Sequence, residues 1–515
     1  DFDAEFETGW KQMTTYPIRH LSPDGRGHRI NVVDLFPEIW ELTTGICTYG
    51  GMIPRETVDS TPILRLSAVR SILQSVYGAG RQRESLPPEK QEAWDQVIGF
   101  YGREFEPPET TSDWMPYTGM WYLRRSWEPD ATFVSMVCQP SGHPSANGST
   151  WNTMAQYWDH GQPLYKMGPV SIDRQPQFDA AGRRTYWPGS KTVELTTSGE
   201  RPIPARWYTS PTMDYAEAFF EGTYQRHGVN GRLGRLELGD NPVTGTRADR
   251  RVVLFKPARL AIVTDAVMVP RTERPRSYQV PEYFGGPEIG KRVVKLSGQV
   301  EGAAARSELK HPSAPGVTVR RFSPMKLEWS AGTQPDWTGK PATISASSRD
   351  GFLMVSLIEP HVPGGASTVQ STRDLSTDGI AGFSARLNDG STLIWLTALN
   401  DARPLQAEGV GVQGQSLLLW WHGKSVYGMA LGVESFSLGG KPVATPRQDF
   451  AFTLADGKLQ ATEGIDRPIE PVTFSPAEPV FVDRVQVAMH SATPGVEIRY
   501  TLDGSEPTPQ STLYE

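Results

Sequence analysis

A chain of 515 residues with 38% hydrophobic and 21% charged residues is too long for one ordinary domain and too apolar for disorder, so about three or four folded domains are expected. Lys and Arg total 51 against 58 Asp and Glu, a net charge of −7 without a strong basic block. That balance argues against a nucleic-acid partner, while a polyanionic substrate needs only a local cationic cleft. Two cysteines, Cys47 and Cys138, exclude a disulfide framework and a Cys-rich zinc site, and leave one bridge between them open. No run reaches the length of a membrane span.

The first residue is Asp1 and no signal peptide precedes it, so the start reads as trimmed and the compartment stays open at this point. Residues 30–105 read as helices. Leu66, Val69, Leu73, Val76 and Tyr77 share one helical face that ends near Gly78. Pro87 and Pro88 open a second helix carrying Ala93, Trp94, Val97, Ile98 and Tyr101, and 34–46 reads as a third.

From about residue 106 the period changes to two, and Gly 50 and Pro 43 punctuate short apolar runs. Strands are expected at 121–127, 131–138, 251–255, 259–268, 352–358, 392–399, 417–421 and 426–432. Lys256-Pro257-Ala258 and His422-Gly423-Lys424 read as hairpin turns, which together indicates stacked antiparallel sheets.

The run from Val496 to Thr508 reads as a strand and an Asp503-Gly504 turn. Its Ile498-Arg499-Tyr500-Thr501 and Asp503-Gly504-Ser505 resemble the C-terminal β-module of chitobiase-type glycosidases, over about the first half of such a module. That resemblance implies a partial Ig-like sandwich, cut at its end.

Segment 116–168 carries Pro116-x-x-Gly119, then Arg124-Arg125-Ser126-Trp127, Gly142-His143, Asn147 and His160-Gly161-Gln162-Pro163-Leu164. Trp207, Asp214-Tyr215, Gly222 and Tyr224 follow, and then Asp249-Arg250-Arg251-Val252-Val253. In order and spacing these resemble the heparinase II/III-like polysaccharide lyases, across about residues 106–360. The resemblance implies a mainly β, multidomain α+β chain. Residues 1–105 would be the end of an (α/α) toroid, 106–385 a large antiparallel β-sandwich, 386–470 a small β domain and 471–515 the partial module. It also implies a secreted or periplasmic protein that cleaves an acidic, uronate-containing polysaccharide by β-elimination without a cofactor.

That chemistry requires a neutralised carboxylate beside the C5 proton, then a base, then a proton for the departing oxygen. By the resemblance, His143 helps neutralise the carboxylate and Tyr49 transfers protons, with Tyr16, His20 and His28 behind it; Asn147 stands where the family has Asp. Arg124 and Arg125 project to opposite faces of one strand, so only one can grip a substrate carboxylate, and an ordinary ion pair explains either equally well.

Relatives hold a zinc ion at positions occupied here by Ser145, Lys166 and Asp249, a poor ligand set, so no metal is expected. Lys166 is expected to pair with Asp249 instead. A non-catalytic glycan-binding role is the main alternative. A glycoside hydrolase would need a carboxylate pair, and Asp159, Asp214, Glu217 and Glu221 show no pair spacing.

Overall fold

Over Asp113–Gly464 the described strands form four antiparallel sheets laid one on another. The computed structural model describes residues 111–115, 120–137, 154–173, 192–196, 203–224, 243–285, 299–332, 342–465 and parts of 472–514, apart from short gaps within these ranges. The chain divides into a unit ending at Ile465 and a second comprising Asp466–Glu515. Among the described residues the first strand is Asp113–Met115, and the helices expected over 1–105 lie outside the described residues.

The first sheet has ten strands, from Asp113–Met115 through Met120–Arg124, Phe133–Val137, Met154–Asp159 and Gln162–Met167 to Arg276–Phe284 and beyond. The second has nine, centred on Met213–Tyr224, Val243–Phe255, Leu260–Met268, Phe352–His361 and Gly316–Phe322. A seven-stranded sheet spans Val369–Gly464, and a four-stranded one uses Arg403–Ala407, Val410–Gly414, Ser435–Leu438 and Lys441–Val443. The seven-stranded sheet starts upstream of the expected boundary at 385/386, which falls inside the strand Ile380–Leu387.

Three hydrophobic cores separate the four layers. In Val243–Phe255, Val252 and Leu254 enter the core shared with the ten-stranded sheet, and Val253 and Phe255 enter the core shared with the seven-stranded one. A strand covered on both faces must be apolar at successive positions, which is why Val252-Val253-Leu254-Phe255 shows no alternation. Its hairpin partner Leu260–Met268 follows a 3-10 turn, Lys256–Ala258, closed by Arg259 in the left-handed region at φ 57.

Arginines of the nine-stranded sheet cross both neighbouring cores. Arg321 is fully buried and donates to both oxygens of Glu282 on the ten-stranded sheet at 2.6 Å. Arg250 bonds Asp265 at 2.7 Å and the Gly168 carbonyl at 2.8 Å. On the other face, Arg251 holds Asp249 at 3.0 Å and donates to the Thr397 hydroxyl and the Ala398 carbonyl across the layer. Arg206 joins Glu217 at 2.6 Å to Asp449 at 2.9 Å.

Burial alone would raise the Glu217 carboxyl, but Arg206 and Arg251 override it and hold its pKa down at about 2, below the ordinary 4.5. A depressed folded-state pKa contributes stability that is complete above 4.5 and lost as the pH falls toward 2. Glu217→Gln should therefore cost about 3 kcal/mol near neutral pH, with the gap to wild type narrowing from about pH 5 to about pH 3 in urea titrations. A gap that stays constant across that window would contradict this role.

In the second unit, Thr473–Ser475 pairs with Ala488–His490 and Arg499–Tyr500 with Thr512–Leu513. The strand expected before the Asp503-Gly504 turn is thus present at Arg499–Tyr500, and the turn itself lies outside the described residues.

Candidate functional site

The two adjacent arginines separate sharply. Arg124 ends the strand Met120–Arg124 with its side chain buried, its guanidinium carbon 4.7 Å from the Phe133 ring centre and 5.4 Å from that of Tyr122. Burial pulls its pKa down to about 10 against the opposing pull of Tyr122 and Asp113. Its backbone N–H donates to Ser112 Oγ at 2.8 Å, and that hydroxyl donates to Asp214 at 2.6 Å.

Arg125, one residue on, is exposed. Its backbone N–H donates to the Thr132 carbonyl at 3.0 Å and its Nε to the Lys256 carbonyl at 3.1 Å. Among the described residues the guanidinium is thus anchored through its Nε. Tyr49, His143, Asn147, Ser145, Cys47 and Cys138 lie outside the described residues.

Three turns meet around Arg125. The first is 125–132, the second is the hairpin turn His160-Gly161, and the third is Lys256–Arg259. His160 at φ 50 and Gly161 at φ 71 make the second a tight turn with both residues left-handed. Non-glycine residues seldom sit there, and His160 and Arg259 both do.

Arg259 holds the three turns together. It donates to Asp159 at 2.7 Å and Asp130 at 3.1 Å, and it contacts His160 Nδ1 at 3.2 Å. Asp159 is buried and also accepts from Thr132 at 2.6 Å. Burial pushes its carboxyl up, against Thr132 and Arg259. Tyr157 donates to the Arg259 carbonyl at 2.7 Å, and burial followed by Asp159 raises its pKa well above the usual phenol value. Tyr157 is therefore held protonated as a hydrogen-bond donor. Lys256 is spent inward on Asp214 at 2.7 Å and on the Ser210 carbonyl at 2.8 Å.

On the outer face of the ten-stranded sheet, Tyr122, Ser135, Gln156, Lys166 and Tyr283 stand in direct register across five strands. The Lys166 ammonium lies 5.5 Å from the Tyr283 ring centre, and burial pulls its pKa well below the ordinary value. The expected pairing of Lys166 with Asp249 is not made. Asp249 lies on the Val253 face of its strand, turned toward the seven-stranded sheet, and is held by Arg247 at 2.9 Å and Arg251 at 3.0 Å. Lys166 lies on the far side of the ten-stranded sheet, so the two side chains point away from each other. No group of three or more His, Cys, Asp or Glu side chains that could hold a metal ion is found among the described residues.

Residues 476–515 match the family model of the chitobiase/beta-hexosaminidase C-terminal domain. The chain is similar to solved structures of a heparan sulfate lyase and of heparinase III. These include heparan sulfate lyase HepC from Pedobacter heparinus, at 11% identity, a TM-score of 0.38, and coverage of 77% of this chain and 62% of that one. A heparinase III structure matches at 13% identity and a TM-score of 0.39, over 76% of this chain and 63% of that one. The chain spans about three fifths of the length of these structures. No curated protein matches the sequence. Among the described residues no helix is long and apolar enough to cross a membrane.

Of the four carboxylates considered for a hydrolytic role, the side chain of Glu221 lies outside the described residues and the other three are separately engaged. Asp159 is held by Arg259, Asp214 by Lys256 and Glu217 by Arg206, each within its own buried network. Of the cations at the three turns, Arg259 and Lys256 are engaged by carboxylates, while Arg125 is exposed and bonds the Lys256 carbonyl through its Nε. Sequence reasoning named Arg125 but passed over His160 and Arg259. The His-Gly turn and the residue following Pro257-Ala258 were the available signals.

Proposed function

We propose that the chain acts in cleaving a uronate-containing polysaccharide by β-elimination, with Arg125 gripping the uronate carboxylate. The ordered motif series from Pro116 to Val253 supports the reading, and the Arg125 geometry carries it. A guanidinium fixed by its Nε to the Lys256 carbonyl presents the paired Nη groups that match a carboxylate bidentately. It is pre-organised, so little side-chain freedom is lost on binding.

Neutralising that carboxylate makes the C5 proton removable. A base takes it, the electron pair forms the 4,5 double bond, and the C4–O bond breaks as the glycosidic oxygen receives a proton. The proton carrier proposed is Tyr49, with His143 helping to neutralise the carboxylate and Asn147 a substrate-binding residue. Residues 1–105 are proposed as the C-terminal part of the toroid, which would supply Tyr49, and the protein as secreted or periplasmic.

The test is incubation of the full chain with uronate polysaccharides while following ultraviolet absorbance of the unsaturated product. Growth of the chromophore is expected with wild type and its near loss with Arg125→Ala. Saturable binding without any chromophore would favour the non-catalytic glycan-binding role instead.

A further inference from the structure

Two routes of hydrogen bonds lead from Arg125 to a single buried carboxylate, that of Asp214. The first follows the side chain. Arg125 Nε donates to the Lys256 carbonyl at 3.1 Å, and Lys256 Nζ meets Asp214 Oδ1 at 2.7 Å. The second follows the backbone. The N–H of Arg124 donates to Ser112 Oγ at 2.8 Å, and that hydroxyl donates to Asp214 Oδ2 at 2.6 Å. Asp214, Ser112 and Lys256 are all buried. One carboxylate oxygen therefore serves the turn that receives the guanidinium, and the other serves the strand end from which Arg125 departs.

The Lys256 carbonyl needs that support. It opens a 3-10 turn of three residues, and the bond closing the turn, from the Arg259 N–H, is long at 3.4 Å. The Lys256 N–H donates to the Thr212 carbonyl at 3.0 Å, which fixes where the turn starts. Its side chain, held by Asp214 and by the Ser210 carbonyl at 2.8 Å, fixes the residue in a second direction and so orients the carbonyl that follows. A buried ion pair adds little net stability over apolar residues of similar volume. What a fully bonded network adds is a single arrangement of its members.

We infer that Asp214 is a positioning residue for Arg125, holding through Lys256 the carbonyl that aims the guanidinium and through Ser112 the strand end that carries it. The inference rests on the proposed grip of Arg125 on a uronate carboxylate. Asp214 itself moves no proton and meets no substrate. It keeps the guanidinium where the carboxylate must sit when the C5 proton leaves, and small displacements of such a group are costly to turnover.

Asp214→Asn alone would strand the buried Lys256 ammonium and unfold the region, so the decisive variant is Asp214→Leu/Lys256→Met, which removes both charges. Ser112 Oγ then has the Arg124 carbonyl at 3.2 Å as its acceptor, and Thr209, which donates to Asp214 at 2.7 Å, is exposed to water. The urea midpoint should therefore stay near that of wild type. The reporter is the NMR signal of the Arg125 Nε–H, assigned by its absence in Arg125→Lys. Its exchange with solvent should quicken about five- to tenfold in the double variant, as the bond to the Lys256 carbonyl loosens. Chromophore release should fall about tenfold in kcat/KM, and adding Arg125→Ala should bring it to the level of Arg125→Ala alone. Unchanged Nε–H exchange would overturn the inference. So would full turnover in the double variant where Arg125→Ala abolishes it, or a double variant as unstable as Asp214→Asn. If wild type forms no chromophore, the lyase reading fails, and the Nε–H exchange alone decides whether Asp214 positions Arg125.

Discussion

Arg321→Ala is expected to destabilise the unit ending at Ile465 by about 3–5 kcal/mol, read as a shift in urea midpoint. Arg321 is fully buried on the nine-stranded sheet, and its carboxylate partner Glu282 is fully buried on the ten-stranded one. Removing the guanidinium strands a carboxylate between two sheets, with the Tyr165 hydroxyl at 2.6 Å as its remaining donor among the described residues. The cost belongs to the orphaned charge and not to the pair. Replacing the whole group by apolar residues, in Tyr165→Phe/Glu282→Leu/Arg321→Met, should therefore recover most of the loss. A single-variant loss below about 1 kcal/mol, or a triple variant as unstable as Arg321→Ala, would contradict this account of how the first two layers are joined.

Substitution of Arg125 is expected to lower kcat/KM by about a hundredfold with little change in unfolding midpoint, whereas Arg124→Ala should do the reverse. A bidentate charged contact is worth about 1.5–3 kcal/mol, and its loss leaves the substrate carboxylate un-neutralised during proton removal. Arg125→Lys should restore charge without the fork and recover only part of the activity. Arg124 is packed between Tyr122 and Phe133, so its truncation leaves a hole in a buried layer and should cost about 1–3 kcal/mol. If the two variants lost activity equally and neither lost stability, Arg125 would not be the residue that grips the substrate.

Much of this arrangement was readable in the residues, for identifiable reasons. The hairpin at Lys256-Pro257-Ala258 and the turn at Gly423-Lys424 follow from local chemistry. Gly423 at φ 62 takes the left-handed position, and His422 pairs with Ser425 across the turn. Two long strands were not legible. Arg276–Phe284 contains Pro281, which ordinarily argues against a central strand, yet here its carbonyl accepts from Gly168 at 2.8 Å. Met213–Tyr224 places Asp214 and Glu217 at buried positions, so ion pairing conceals the expected period. Strand alternation puts Arg124 on the face of Tyr122, but Arg125 is exposed because it lies past the strand's end, in a turn held to Lys256, 131 residues away. The Lys166–Asp249 expectation failed on the same parity, because proximity of two strands does not fix the face on which each side chain stands.

The measurement that bears most directly on the central claim is product analysis after digestion in heavy-oxygen water. β-Elimination breaks the bond between C4 and the glycosidic oxygen without adding solvent oxygen. The new non-reducing end should carry a 4,5 double bond, and the products should contain no heavy oxygen beyond slow exchange at the reducing end. Saturated products that gain one solvent oxygen per cleavage would identify hydrolysis and contradict the account.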